Sequence, residues 1–283
     1  QTELECRQIT EAVKQNNVMF AVCHVLRYTS YTQQLKKVLT SGKIGDIVSL
    51  QHLEPVGYWH QAHSFVRGNW RNTKESNFML LAKSCHDLDW IRYLVDQKCQ
   101  FVSSFGSLKY FKKENQPIGA ADRCLDCPAR IESQCPYSAR RVYLNGWNNG
   151  WRGWPLTVIT DVPSPDSIEK ALREGPYGRC VFACDNDVVD NQVVNLQFEY
   201  SVTAVFTMTA FTELCQRKTR IFGTKGEIEG DGRHIKIYEF LNDKRSEIDT
   251  LVNNGVLQGH GGGDFGLMDN FINALISKNP AMI

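Results

Sequence analysis

The chain has 283 residues, 42% hydrophobic and 22% charged, the make-up of a folded globular protein rather than a disordered, collagenous or coiled-coil one. Lys and Arg number 32 against 31 Asp and Glu, and a net charge of +1 gives no electrostatic footprint for nucleic acid or an anionic membrane. The longest stretch without a charged side chain, residues 250–263, is rich in Gly and Asn and falls short of the roughly 20 apolar residues a spanning helix needs.

Taken in chain order, Thr2 and Glu5 read as a capping box that opens a helix over residues 2–15, with Leu4, Ile9, Ala12 and Val13 at helical spacing. A helix at the first residue, and Gln1 in place of Met, suggest a piece of a longer protein. No basic, apolar and small-residue succession marks a secretory leader, so a cytoplasmic location is expected. Residues 18–26 form a continuous apolar run, the pattern of a strand buried on both faces in a parallel sheet. A second helix is expected from about Ser30 to Gly42 with Tyr31, Leu35, Val38 and Leu39 inward, followed by a strand over 46–53.

Helical spacing returns over 76–96. Leu81, Cys85, Leu88 and Ile91 form one apolar stripe, and the opposite face presents Lys83, His86, Asp87 and Trp90. Residues 100–111 alternate like a strand. Residues 112–190 are rich in Cys, Trp, Pro, Gly and Asn and read as a loop-rich insertion with a short helix near 168–174. From Val193 onward the period is two, and Lys225-Gly226 and Asp231-Gly232 are turn signals between short antiparallel strands. An amphipathic helix carrying Met268, Phe271, Ile272, Leu275 and Ile276 closes the chain.

Four constellations could carry chemistry. On the helix over 76–96, His86 can exchange a proton near neutral pH with a carboxylate setting its tautomer; the plainer alternative is a Lys83–Asp87 salt bridge beside a partly exposed histidine. Residues 57–71 are dense in aromatic and hydrogen-bonding groups, including His60, His63, Arg67 and Arg71. They suit either a sugar platform with arginine clamps or a loop whose tryptophans plug the core edge. Gly261-x-Gly263-x-x-Gly266 matches the dinucleotide fingerprint in form only, since 252–258 is a poor strand and 17 residues follow it. A loop closing onto a helix N-terminus, with its amides or His260 offered to a ligand, is the better reading. Ten cysteines are expected reduced, buried or metal-bound. Cys124-x-x-Cys127 with Cys135, and Cys180 or Cys184 as a fourth ligand, could hold a structural zinc, the alternative being a group of reduced thiols. Neither Gly-x-Ser-x-Gly, a P-loop nor His-Glu-x-x-His occurs.

Cys23-His24-Val25-Leu26-Arg27-Tyr28 at the end of an apolar run, a helix over 33–41 followed by Gly42-Lys43-Ile44-Gly45-Asp46-Ile47, then His86-Asp87-Leu88-Asp89 and Phe222-Gly223-Thr224-Lys225-Gly226 stand in one order. That order resembles the Gfo/Idh/MocA oxidoreductases over residues 2–277. The resemblance implies an α/β tail of a Rossmann domain (residues 1–28) followed by an α+β domain (29–283) with an open, mainly antiparallel sheet and the Cys-rich insertion. It implies NAD or NADP as cofactor, a carbohydrate-like or other small alcohol as substrate, and a homo-oligomer built through the open sheet. It gives His86 the proton-transfer role with Lys83 as electrostatic partner. Ala82 stands where many members carry an acid, and the family's phosphate loop and Glu-Lys-Pro segment would precede Gln1. His60, Arg67, Arg71 and Asp89 are expected at the substrate, and Arg27 and Tyr28 near the cofactor. The rival readings are a redox-assisted glycosidase and a non-catalytic, zinc-stabilised binding or oligomerisation module.

Overall fold

The computed structural model describes residues 2–213, 215–251 and 260–280, and one eight-stranded sheet runs through it. Its strands are β1 (Ile47–Pro55), β2 (Cys99–Ser107), β3 (Asn191–Phe198), β4 (Thr203–Thr209), β5 (Lys218–Gly223), β6 (Gly226–Gly230), β7 (His234–Glu239) and β8 (Lys244–Asp249). They lie in the order β2-β3-β4-β1-β5-β6-β7-β8. Only the β1–β4 pair is parallel, with Leu50 beside Ala204 and His52 beside Phe206. The rest is antiparallel, β5 to β8 being a meander turned at the two expected glycine sites.

The helices are α1 (Glu3–Asn16), α2 (Ser30–Thr40), α3 (Cys85–Val95), α4 (Pro165–Glu174) and α5 (Gly263–Ser277). Helix α2 starts where the Thr29 hydroxyl accepts the Thr32 N–H at 3.1 Å, and it turns Tyr31, Leu35 and Val38 onto the sheet. Helix α3 adds Trp90, Ile91 and Leu94 to the same core, against Leu50, Phe206, Met208 and Ile221. Truncating Ile91, which is wholly enclosed, to Ala should cost about 2–5 kcal/mol. The opposite face of the sheet is uncovered, and edge strand β2 is exposed along its length, with Phe101 and Phe105 of that face in solvent.

Three expectations change. Residues 18–24 form no strand, and only a 3-10 turn, Val25–Tyr28, follows. A strand needs neighbours to take its N–H and C=O groups, and no described strand lies beside this run. Second, the helix over 76–96 is two pieces, a turn Met79–Ala82 and then α3, broken where Lys83 leaves helical geometry (φ −134°, ψ −60°). The break resets the helical phase, so Asp87 and Trp90 face inward with Ile91, while Cys85 and Leu88 are only partly covered. Third, α5 buries Leu267 and Ala274 but leaves Met268, Ile272, Leu275 and Ile276 exposed.

Gly263 and Gly266 serve packing. A Cβ at Gly263 would lie 2.4 Å from the Val25 carbonyl oxygen, and one at Gly266 would lie 2.9 Å from that of Tyr28, so α5 can rest on the 25–28 backbone only through glycine. Residues 252–258, read as a poor strand, lie outside the described residues. The 112–190 insertion has α4 where a helix was expected and cores of its own, one around Tyr143, Leu156, Ile168 and Leu172, another joining Phe111, Tyr137 and Phe182 to Ala62 and Val66. Asp190, fully enclosed, ties its entrance by accepting the N–H groups of Lys109 and Tyr110 at 2.9 and 2.7 Å.

Candidate active site around Lys83 and His86

Alternation along β1 puts Leu50, His52 and Glu54 on the covered face, so two polar side chains enter an otherwise apolar layer. They are not left unpaired. His52 Nε2 lies 2.8 Å from Asp87 Oδ1, and its Nδ1 lies 2.7 Å from the Thr219 hydroxyl. Arg217 donates to both Asp87 oxygens, at 2.5 and 2.9 Å, and reaches Glu54 at 3.5 Å. Lys83 Nζ sits 3.1 Å from Glu54 Oε1, and the Ser84 hydroxyl donates to Glu54 Oε2 at 2.7 Å. The Lys83–Asp87 bridge is therefore not formed: Lys83 pairs with Glu54, and Asp87 with Arg217 and His52.

Burial by itself would push the Asp87 carboxyl up, but Arg217 and His52 outweigh it and hold it well below the usual carboxylate range. Glu54 moves the other way. Burial and then the Asp87 charge raise it, with Lys83 and Arg217 opposing. The product is an ammonium, Lys83, fixed at the rim of a buried charge network with its side chain 22% exposed.

One turn further, His86 is half-buried, and its Nδ1 is enclosed without a hydrogen-bond partner among the described residues. Its ring stands edge-on to His24 at 5.7 Å between centroids. Burial, then His24, lowers its pKa, so the imidazole is neutral at pH 7 and has a nitrogen that can accept a proton. Asp89 is engaged by Arg27, whose guanidinium donates to it at 2.7 and 2.5 Å and stacks over Tyr93. Asp89, Arg27 and neighbouring Tyr28 thus lie on the His24 side of His86. His60 Nδ1 lies 3.9 Å from Cys215 Sγ, and burial followed by the Lys83 charge takes its pKa to about 4. Beside this network opens a cavity of about 400 Å³ lined by Thr29, His52, Trp90, Arg217, Thr219 and Arg233; Lys83 and His86 are not in its wall.

Two arginines expected at the substrate are engaged within the chain itself. Arg67 is wholly enclosed, donating to the carbonyls of Arg179 and Tyr137 at 2.7 and 2.8 Å and to Cys124 Sγ at 3.4 Å, so it pins the insertion to the 61–67 turn. Arg71 pairs with Asp185 and Glu75 at 2.9 and 2.8 Å. The zinc expectation is also corrected. Cys124, Cys127, Cys135 and Cys180 line one small apolar cavity, yet among the described residues no three His, Cys, Asp or Glu side chains are placed to hold a metal ion. Arg67, a permanent cation, lies in the same wall, the Cys180 sulfur accepts from Gln116 at 3.7 Å, and the described cysteines are free thiols.

Glu54, His52, Arg217 and Cys215 escaped the sequence reading. The first two carried a signal: polar residues in phase with Leu50 on a strand. Arg217 carried none, since it follows the antiparallel run without a pattern of its own.

A family model described as the C-terminal alpha/beta domain of an oxidoreductase family matches residues 36–283. YteT of Bacillus subtilis, named as an oxidoreductase, is 23% identical over 99% of this chain and 65% of its own length, so the chain spans about two thirds of that relative. A levoglucosan dehydrogenase in complex with NADH and levoglucosan superposes with a TM-score of 0.57 at 17% identity, over 94% of this chain and 60% of that one. A super-repressor mutant of Gal80p from Saccharomyces cerevisiae does so equally well, at 0.57 and 12% identity, over 96% and 56%. Among the described residues no helix is long and apolar enough to cross a membrane. With its open sheet, its late hairpin docked on Ile44 and Asp46 through the N–H groups of Lys225 and Thr224, and a family model over most of its length, the chain belongs to the Gfo/Idh/MocA oxidoreductase family.

Proposed function

We propose that this chain supplies the substrate side of an NAD(P)-dependent oxidoreductase that acts on a hydroxyl of a sugar, polyol or related alcohol. One arrangement carries the reading: a half-buried neutral histidine, on the same stretch as an ammonium fixed by a buried glutamate. Taking hydride from a carbinol carbon requires its oxygen to lose a proton. His86 accepts that proton during oxidation and returns it in the reverse direction. Lys83 stabilises the negative charge developing on the oxygen. Glu54, with Ser84 and Arg217, fixes the ammonium, and Asp87 with His52 fixes Arg217 in turn.

A bound nicotinamide would supply the hydride acceptor. Arg27 and Tyr28, on the turn beside His24, are the residues of this chain proposed to face it. The described residues contain no strand-to-helix glycine turn suited to a pyrophosphate, so that contact is not assigned to them. The levoglucosan dehydrogenase complex supports an alcohol on a sugar as the substrate class. The uncovered sheet face, with Phe101 and Phe105, is proposed to receive a second copy of the chain. Gal80p shows that the fold alone does not decide for an enzyme. The Lys83–Glu54 pair beside His86 favours catalysis over a binding module, which has no use for a buried carboxylate under an ammonium.

The test is turnover by the full-length protein with NAD or NADP over a panel of sugars and polyols. His86→Asn should lower kcat by about 10²–10⁴-fold with an unchanged circular dichroism spectrum. Because burial lowers the His86 pKa, the wild-type rate should persist to more acidic pH than an exposed histidine would permit. Wild-type turnover by His86→Asn would overturn the assignment.

A further inference from the structure

Three tryptophans meet at the border between the insertion and the site. Trp59 lies in the turn Tyr58–His60, and Trp151 and Trp154 lie in the insertion, with ring centroids 5.4 and 5.2 Å from Trp59. Trp154 is also 5.0 Å from His60 and 5.3 Å from His63, both nearly perpendicular to it. The Trp59 pairs are tilted by 49° and 51°, so no ring of the cluster lies flat on another. Trp59 is partly buried against the insertion's core of Tyr143, Leu156, Ile168 and Leu172, whereas Trp151 and Trp154 are 38% and 49% exposed. Trp151 is nonetheless held in place. A Cβ at Gly146 would come within 2.7 Å of its ring, so the indole rests directly on that glycine.

The cluster is continuous with the proposed active site. His60 touches Trp154 on one side and Cys215 on the other, and the Lys83 charge acts on both His60 and Cys215. The tilted indoles of Trp151 and Trp154, around the more covered Trp59 and beside His60, match a pyranose, whose axial C–H groups form an apolar face and whose hydroxyls point outward to water. Burial keeps His60 neutral, so the wall between ammonium and indoles can hydrogen-bond a hydroxyl without repelling or attracting charge.

We propose that Trp59, Trp151 and Trp154 form a subsite for a second sugar ring, and that the substrate is a glycoside of at least two units, with one ring at Lys83 and His86 and its neighbour on the indoles. The inference rests on the oxidoreductase reading for the first ring only. It also gives the insertion a purpose: it brings two of the three indoles to the site.

The experiment uses the full-length protein and matched pairs of probes: glucose and galactose against cellobiose, maltose, lactose and melibiose. Binding is read by tryptophan fluorescence and turnover by NAD(P)H absorbance. At least one disaccharide should bind about tenfold or more tighter than its constituent monosaccharides. Trp154→Ala should collapse that ratio towards one, Trp154→Phe should restore part of it, and Trp70→Ala, an exposed tryptophan outside the cluster, should keep it. His86→Asn should abolish turnover while keeping the disaccharide preference. Equal binding of mono- and disaccharides by the wild type, or an intact preference in Trp154→Ala, overturns the subsite. If the preference is present but turnover is absent in the wild type, the subsite stands and the oxidoreductase reading falls.

Discussion

Two arginines, Arg217 and Arg67, anchor different regions of this molecule, and they are held in opposite ways. Arg217, next to the site, donates to two carboxylates, Asp87 and Glu54. Arg67, in the insertion, donates to two backbone carbonyls and a thiol, and no carboxylate pairs with it. A buried guanidinium with carboxylates is a charge network, and it can position another ion at its edge, here Lys83 through Glu54. A guanidinium bonded to carbonyls is a cross-link that ties three loop segments lacking a regular ladder. The same residue type thus serves electrostatic placement in one region and mechanical closure in the other.

The comparison predicts unequal costs. Asp87→Ala strips both carboxylate bonds from Arg217 and leaves Nε2 of the buried His52 without its partner, which should lower stability by about 3–5 kcal/mol. Arg67→Met removes the charge together with its bonds and leaves carbonyls unsatisfied, for about 1–3 kcal/mol. Urea unfolding of the two variants beside the wild type measures both. Equal losses, or a larger one at Arg67, would break the distinction between network and cross-link.

Acid should separate the regions next. His60 and His63 have folded pKa values of about 4 and 3 against 6.5 when exposed, burial being the first cause for each; Lys83 adds to it at His60, and His60 and then Arg67 add at His63. As pH falls below about 6.5 the unfolded imidazoles take up protons and the folded ones do not. The unfolded state then binds more protons, and stability declines until about pH 3. Asp87, held low, keeps its contribution until pH falls below the ordinary carboxylate value of 3.8, and Glu54, held high, opposes the loss by binding a proton more tightly when folded. Between pH 6 and 4, amide protection, corrected for the intrinsic exchange rate, should therefore fall around Tyr143 and Tyr177, which contact His63, before it falls in β1. His63→Gln should flatten that decline. Simultaneous loosening of both regions would sink the ordering.

Much of the fold could be read in the residues, because period-two and period-3.6 patterns report which face meets a core. Leu50 with Phe206 and Leu35 with Val38 are of that kind. Lys83 and His86 were legible as a constellation, but their surroundings were not. One non-helical residue at 83 rotates everything after it, and nothing in the local pattern announces such a break. The run over residues 61–67 is a second case. All seven are buried in a π-helical turn, so neither period applies, and Arg67 in an aromatic, polar stretch resembled a ligand clamp. Cysteine spacing misled for a related reason: nearness along the chain says nothing about which way the sulfurs point, and a guanidinium from 57 residues away shares their cavity.

The smallest effect tests the other arginine of that stretch. Arg71 is shared between Glu75 and Asp185, each about half exposed, and Asp185 is shared again with Arg179 at 2.6 Å. Arg71 holds the Asp185 carboxyl at about 1.4 kcal/mol per tenfold of proton affinity only to the extent that solvent does not screen it, and partly exposed pairs of this sort contribute about 0–1 kcal/mol. Arg71→Lys keeps the charge but loses the fork that spans two carboxylates, so unfolding should shift by no more than that amount. KM for any turned-over sugar should stay within about twofold of the wild type, corresponding to under about 0.5 kcal/mol of binding. A KM raised tenfold with unchanged stability would move Arg71 from the insertion's frame to the substrate, and the division between a charge network that serves chemistry and an insertion that serves shape would have to be redrawn.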